Sequence, residues 1–103
     1  VPMGSVAGGL PLIRELVRGG GYDWSAHVHR GISGDEFEPG DLEACIASGR
    51  VTKTERDPRG NSVGRKVYVI EGRDTRGRQF YTAGKIMRDN SHFYFFITAH
   101  EAR

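Results

Sequence analysis

His27, His29 and His100 are the residues best suited to moving a proton near neutral pH, and each has polar neighbours that could share such work. His27 and His29 stand two apart in a Ser-, Gly- and acid-rich stretch. An i, i+2 pair can turn both rings to one side of an extended segment, but no cysteine or further histidine at zinc-ligand spacing completes a site. Neither a metal nor a cofactor is therefore expected. His100 closes a run of alternating residues, and a period of two puts it with Thr98 and Tyr94 on the side turned away from the core, where Lys85 of the preceding strand also falls. Phosphodiester chemistry needs such a set: Lys85, Arg78 and Arg65 to hold phosphate, Tyr94 and Thr98 to position it, and histidine to carry the proton. In metal-independent RNA cleavage the ribose 2′-hydroxyl is itself the nucleophile, so a base, an acid and a cation suffice. Such a set is common on small basic domains, and the same residues read more simply as the polar dressing of a solvated sheet face. They also fit a non-catalytic module that binds RNA or a protein, with Tyr81, Tyr94 and Phe96 stacking on bases. Cys45 falls on the apolar stripe of a helix and reads as a small core residue rather than a nucleophile.

The elements that would position these groups change in character along the chain. Leu12, Ile13, Leu16 and Val17 form a helical stripe, opened by Pro11 and stopped by Gly19-Gly20-Gly21, which predicts a helix from Pro11 to Arg18. Tyr22 and Trp24 then return the chain to the core as a hydrophobic plug. Residues 25–40 show no clear period and are expected to be loop, with at most a helical turn near His27. Leu42, Cys45 and Ile46 predict a second helix from Asp41 to Ser48. From Val51 the period becomes two, giving strands at Val51 to Glu55, Lys66 to Glu71, Gln79 to Met87 and His92 to Ala99. Arg73 to Gly77 has the composition of a tight hairpin turn. The expected fold class is α+β, two short helices followed by a four-stranded antiparallel meander, with the Phe93/Phe95/Ile97 side of the last strand against the helices.

Length and charge bound this reading. The chain has 103 residues, enough for a single domain over 10–103 with one modest core. Residues 1–9 read as a flexible leader or a cloning remnant. No stretch approaches the roughly 18 consecutive apolar residues that a membrane span requires, so no membrane partner is expected. One cysteine cannot make an intramolecular disulfide. The net charge of +2 conceals an asymmetry: residues 1–49 carry three basic and seven acidic side chains, residues 50–88 eleven basic and four acidic. The strand-forming half is thus the basic half, which suits either a solvated surface or a polyanion such as RNA.

Several short segments share one pattern: Ser25-Ala26-His27, the run from Asp41 to Val51, Lys66 to Gly72, Gly77-Arg78 and Phe96-Ile97-Thr98-Ala99. Together, over roughly residues 22–101, they resemble a bacterial family of domains of unknown function placed with RelE-like and BrnT-like toxin domains. That family has a Ser-x-His start, a helix running into a Gly-x-Val, a Gly-Arg hairpin and a last strand ending in Ile-Thr. The resemblance implies a small α+β endoribonuclease of a toxin–antitoxin system or the tip of a secreted toxin, acting in the cytoplasm or delivered from a larger protein. It implies His27 as the first catalytic residue, with His100 and Thr98 next. It also implies an acidic antitoxin or immunity protein as the partner that covers the basic face. The acidic run Asp35-Glu36-Phe37-Glu38 departs from the pattern, since the family usually has a basic helix there.

Overall fold

The computed structural model describes residues 9–101. Within it the chain runs α1 (Gly9–Arg18), β1 (Tyr22–Trp24), α2 (Ala26–Ser33), α3 (Pro39–Ser48), β2 (Arg50–Arg56), β3 (Lys66–Arg73), β4 (Gln79–Asp89) and β5 (Ser91–Glu101), with a 3-10 turn at Val63–Arg65. The α+β class stands, but in detail the described residues form three helices and a five-stranded sheet of order β1-β5-β4-β3-β2. The four later strands form the antiparallel meander, and the added strand β1 lies parallel to β5, pairing Tyr22 with Tyr94 and Trp24 with Phe96. Of the leader expected over residues 1–9, all but Gly9 lies outside the described residues, and Gly9 opens α1.

Helix boundaries follow from their caps. At the end of α1 the Gly21 amide reaches Leu16 O at 2.8 Å and the Gly20 amide reaches Val17 O at 3.1 Å. This Schellman closure needs a left-handed residue at Gly20, whose φ is +79°. The second helix begins at Ser25, whose hydroxyl accepts from the Val28 amide at 3.2 Å and donates to Ile97 O at 2.7 Å. In place of the loop expected over 25–40, this cap and the burial of Val28 and Gly31 make two turns of helix. Helix α3 starts at Pro39, where the Asp41 carboxylate accepts from the Glu38 amide at 2.8 Å and from the Thr75 amide at 3.0 Å. Asp41 thereby ties the start of α3 to the β3–β4 hairpin.

All three helices contribute to one apolar cluster, in which Ile13, Val17, Val28, Leu42, Cys45 and Ile46 meet Tyr68, Ile70, Phe80, Ile86, Tyr94, Phe96 and Ala99 of the sheet. The last strand therefore buries Tyr94 and Phe96, not the expected Phe93/Phe95/Ile97 side. A β-bulge is the reason for the mixed outcome. Phe96 pairs with Gly84 and Thr98 with Ala83, so Ile97 is left between them and the side-chain alternation changes phase. Before the bulge the even-numbered residues face the core; after it Ala99 does, while Thr98 and His100 turn away. Gly84 makes room for this packing, because a Cβ there would lie 2.6 Å from the Tyr94 ring. Cys45 is fully buried with its thiol 3.6 Å from the carbonyls of Ile70 and Phe80, and burial pushes the thiol up to about 11. It packs as a core residue. No helix among the described residues is long and apolar enough to cross a membrane.

Candidate functional surface on the uncovered sheet face

The side of the sheet opposite the helices carries the residues that alternate with the core set. On β4 these are Tyr81, Ala83, Lys85 and Met87, and on β5 they are Phe93, Phe95, Thr98 and His100. Two regions of this face differ in chemistry.

At one end, strand pairing aligns four side chains in a single cross-strand row. Arg50 pairs with Glu71, Glu71 with Tyr81, and Tyr81 with His100. Each belongs to the uncovered side, since its neighbour in sequence, Val51, Ile70, Phe80 or Ala99, packs on the helical side. Neighbouring strands stand about 4.8 Å apart, so Glu71 and His100 are about 10 Å apart at Cα with Tyr81 between them. The His100 ring stacks on Tyr81 at 4.6 Å between centroids and 28° between planes, and its Nδ1 lies 3.1 Å from Glu101 O. Arg50, Glu71 and His100 are exposed, and Tyr81 is half-buried. A cation, a carboxylate, a phenol and an imidazole thus line one row.

At the other end lies a groove of about 570 Å³ floored by Val67, Lys85, Met87, Phe93, Phe95 and Ile97. One wall is Asp23, Ser25 and Ala26; the other is the loop between β2 and β3. Local turn chemistry builds that loop. The Asp57 carboxylate accepts from its neighbour Arg59's amide at 3.1 Å and from the Ser62 hydroxyl at 2.7 Å, and the Gly60 amide closes the turn on Asp57 O. Lys85 Nζ then reaches up to the loop, 3.4 Å from both Asp57 carboxylate oxygens and 2.9 Å from Asn61 Oδ1. The Ser62 hydroxyl holds the Asp57 carboxyl below its ordinary value of 3.8, and the Arg59 amide and Lys85 add to this against the opposing effect of desolvation.

These positions correct several expectations. Tyr94 is fully buried among the core aromatics, packed edge-on to Phe96 at 5.0 Å, and cannot touch a ligand on the uncovered face. Phe96 is likewise in the core, so of the three aromatics expected to stack on bases only Tyr81 is accessible. Lys85 is on the uncovered side but only 6% exposed, its charge committed to Asp57, so it is not a free phosphate holder. Arg78 lies in the β3–β4 hairpin region, 3.0 Å from Asp74 and 3.6 Å from Glu101, beside a concavity lined by Asp35, Glu36 and Glu38. Arg65 is exposed in the 3-10 turn, with φ at +55°. The four proposed RNA contacts are thus not gathered in one place. His27 is exposed in the first turn of α2; His29, also exposed, accepts at Nδ1 from Trp24 Nε1 at 3.3 Å. Neither histidine shares a hydrogen bond or ring contact with His100 among the described residues. Among the described residues no group of three or more His, Cys, Asp or Glu side chains is placed to hold a metal ion.

Sequence reasoning missed Arg50 and Glu71, which only the register brings beside Tyr81 and His100. The stretch from Arg56 to Gly64 reads as a polar loop, with a turn signal in Asp57-Pro58-Arg59-Gly60, but nothing in it announces that the loop walls this groove. No protein-family model matches this chain, and no curated protein or solved structure matches it.

Proposed function

We propose that this domain acts on single-stranded RNA across its uncovered sheet face, as a metal-independent endoribonuclease. The observation that carries the reading is the cross-strand row Arg50, Glu71, Tyr81 and His100. In this reading Glu71 takes the proton of the ribose 2′-hydroxyl as its oxygen attacks phosphorus. The P–O5′ bond breaks, and His100 returns a proton to the departing 5′-oxygen. Arg50 neutralises the phosphate, while Tyr81 holds the imidazole face and Thr98 offers a hydroxyl beside it. The products are a 2′,3′-cyclic phosphate and a 5′-hydroxyl, with atoms and charge in balance and no metal required. The resemblance to RelE-like and BrnT-like toxin domains points to the same substrate class, and a partner that silences such a domain would have to cover this row.

Purified protein incubated with a labelled RNA in excess chelator tests the proposal. Wild type should release fragments ending in cyclic phosphate, with a bell-shaped dependence of rate on pH. Glu71→Gln and His100→Ala should each lose about 100-fold or more in rate at unchanged folding. A second reading, an RNA-binding platform without turnover, is favoured by the commitment of Lys85 to Asp57, which leaves the floor without a free cation. Salt-dependent binding with no fragments would establish that second reading; no binding at low salt would overturn both.

A further inference from the structure

We infer that the groove between β5 and the loop after β2 is a nucleobase subsite of the same face, taking an unstacked uracil of single-stranded RNA. The inference rests on the RNA-acting reading and adds to it where specificity resides. Three observations carry it.

The first is the surface the groove offers. Phe93 and Phe95 are half-buried on a side of the sheet that no helix among the described residues covers, and they form its floor. Aromatic rings presented by a sheet are the usual platform for splayed bases, because every base has a π-face.

The second is the charge. Lys85 at the floor is already paired with Asp57 and bonded to Asn61, so the interior offers no free cation to a phosphate. It suits a neutral, polar-edged body such as a base, with Arg59 on the groove wall to meet the backbone that follows.

The third is the hydrogen-bonding edge. An ammonium group only donates, so the Asn61 amide must turn its oxygen toward Lys85, as the 2.9 Å contact shows. That leaves the Asn61 NH₂ turned away from Lys85, on an exposed residue that shares the groove wall with Arg59. It can donate to a carbonyl oxygen, and uracil is the one RNA base that presents two of these and no exocyclic amine; adenine presents no carbonyl, and cytosine and guanine each carry an amine that repels the Asn61 donor. From Phe95 to His100 is about 16 Å along the strand, so the base held here flanks the reacting phosphate at a distance and does not belong to it.

Binding of fluorescent six-nucleotide RNAs to the His100→Ala protein, which prevents turnover, tests the inference at fixed salt in chelator. Oligo-U is expected to bind about ten-fold more tightly than oligo-A or oligo-C. Phe95→Leu, which keeps an apolar side chain but removes the ring, should weaken oligo-U about ten-fold. Asn61→Ala, in an exposed loop, should bring the U-to-A ratio close to one. Equal binding of the three oligonucleotides by the parent, or a preference unaltered in both variants, overturns the subsite while leaving the RNA-acting reading intact. Failure of the parent to bind any of them overturns both together.

Discussion

Tyr94 is the residue whose chemistry and placement are most at odds. Its ring fills the centre of the core, while its hydroxyl, fully buried, has no hydrogen-bond partner among the described residues. Burial holds the phenol in its neutral form, far above the ordinary tyrosine range. An unpaired buried hydroxyl costs on the order of 1–3 kcal/mol, so Tyr94→Phe should leave stability unchanged or raise it by about 1 kcal/mol in urea unfolding, with RNA activity retained. A loss of several kcal/mol would mean that the hydroxyl has a partner after all. Gly84→Ala is the counterpart. Its methyl would fall 2.6 Å from the Tyr94 ring, and forcing the ring aside in a packed core should cost about 2–3 kcal/mol in the same measurement. The sequence did not reveal that Tyr94 is inside, because β5 is aromatic on both sides. Phe93 and Phe95 compete with Tyr94 and Phe96 for the core on equal terms, and hydrophobicity alone cannot choose between the two phases. Gly84 on the neighbouring strand was the available signal: a strand glycine marks the place where a bulky neighbour needs room.

Ser25 shows how one short side chain can join two elements. Its hydroxyl caps α2 through the Val28 amide and grips β5 through Ile97 O, at the bulge that changes the phase of the strand. Removing a helix cap of this type costs about 1 kcal/mol, and the second bond adds a similar amount, so Ser25→Ala should lose about 1–2 kcal/mol. Amide exchange would localise the loss to residues 26–33 and the end of β5; a change confined to α1 or β2 would count against the account. Strands β2 to β5 were legible because alternation is long and turn residues separate them. Neither β1 nor α2 was. Three residues carry too little period to declare a strand, and a parallel pairing with the last strand of the chain has no local signature. The second helix, with only Val28 and Gly31 fully buried, owes its existence to its cap and to packing more than to a stripe. The row from Arg50 to His100 was hidden for a related reason. It spans four strands, and β2 has its own irregularity between Val51 and Lys53, so no spacing in the sequence announces it.

Three carboxylates each fasten a loop, Asp41 and Asp57 across long separations in sequence and Asp74 within its own hairpin. Asp41 joins α3 to Thr75 of the β3–β4 hairpin, Asp57 joins the β2–β3 loop to Lys85, and Asp74 closes the hairpin on Arg78. All three are held below the ordinary value of 3.8. For Asp41 and Asp74 desolvation pushes upward, but hydrogen bonds from backbone amides outweigh it, joined by the Thr75 hydroxyl at Asp41 and by the Arg78 guanidinium at both. The consequence for stability has a definite sign. A carboxylate depressed in the folded state contributes in full above the unfolded-state value and loses that contribution as pH falls through the folded one. Stability should therefore be steady above about pH 5 and decline steeply below about pH 4, as the unfolded chain takes up protons that the folded chain refuses. Urea midpoints measured from pH 6 down to pH 2.5 check this. Asp41→Asn should lower the midpoint at pH 6 and make the acid limb shallower, because one of the three coupled protonations has been removed. A limb of unchanged steepness in that variant would show that Asp41 does not titrate with folding, and that the hairpin is held to α3 by something other than its charge.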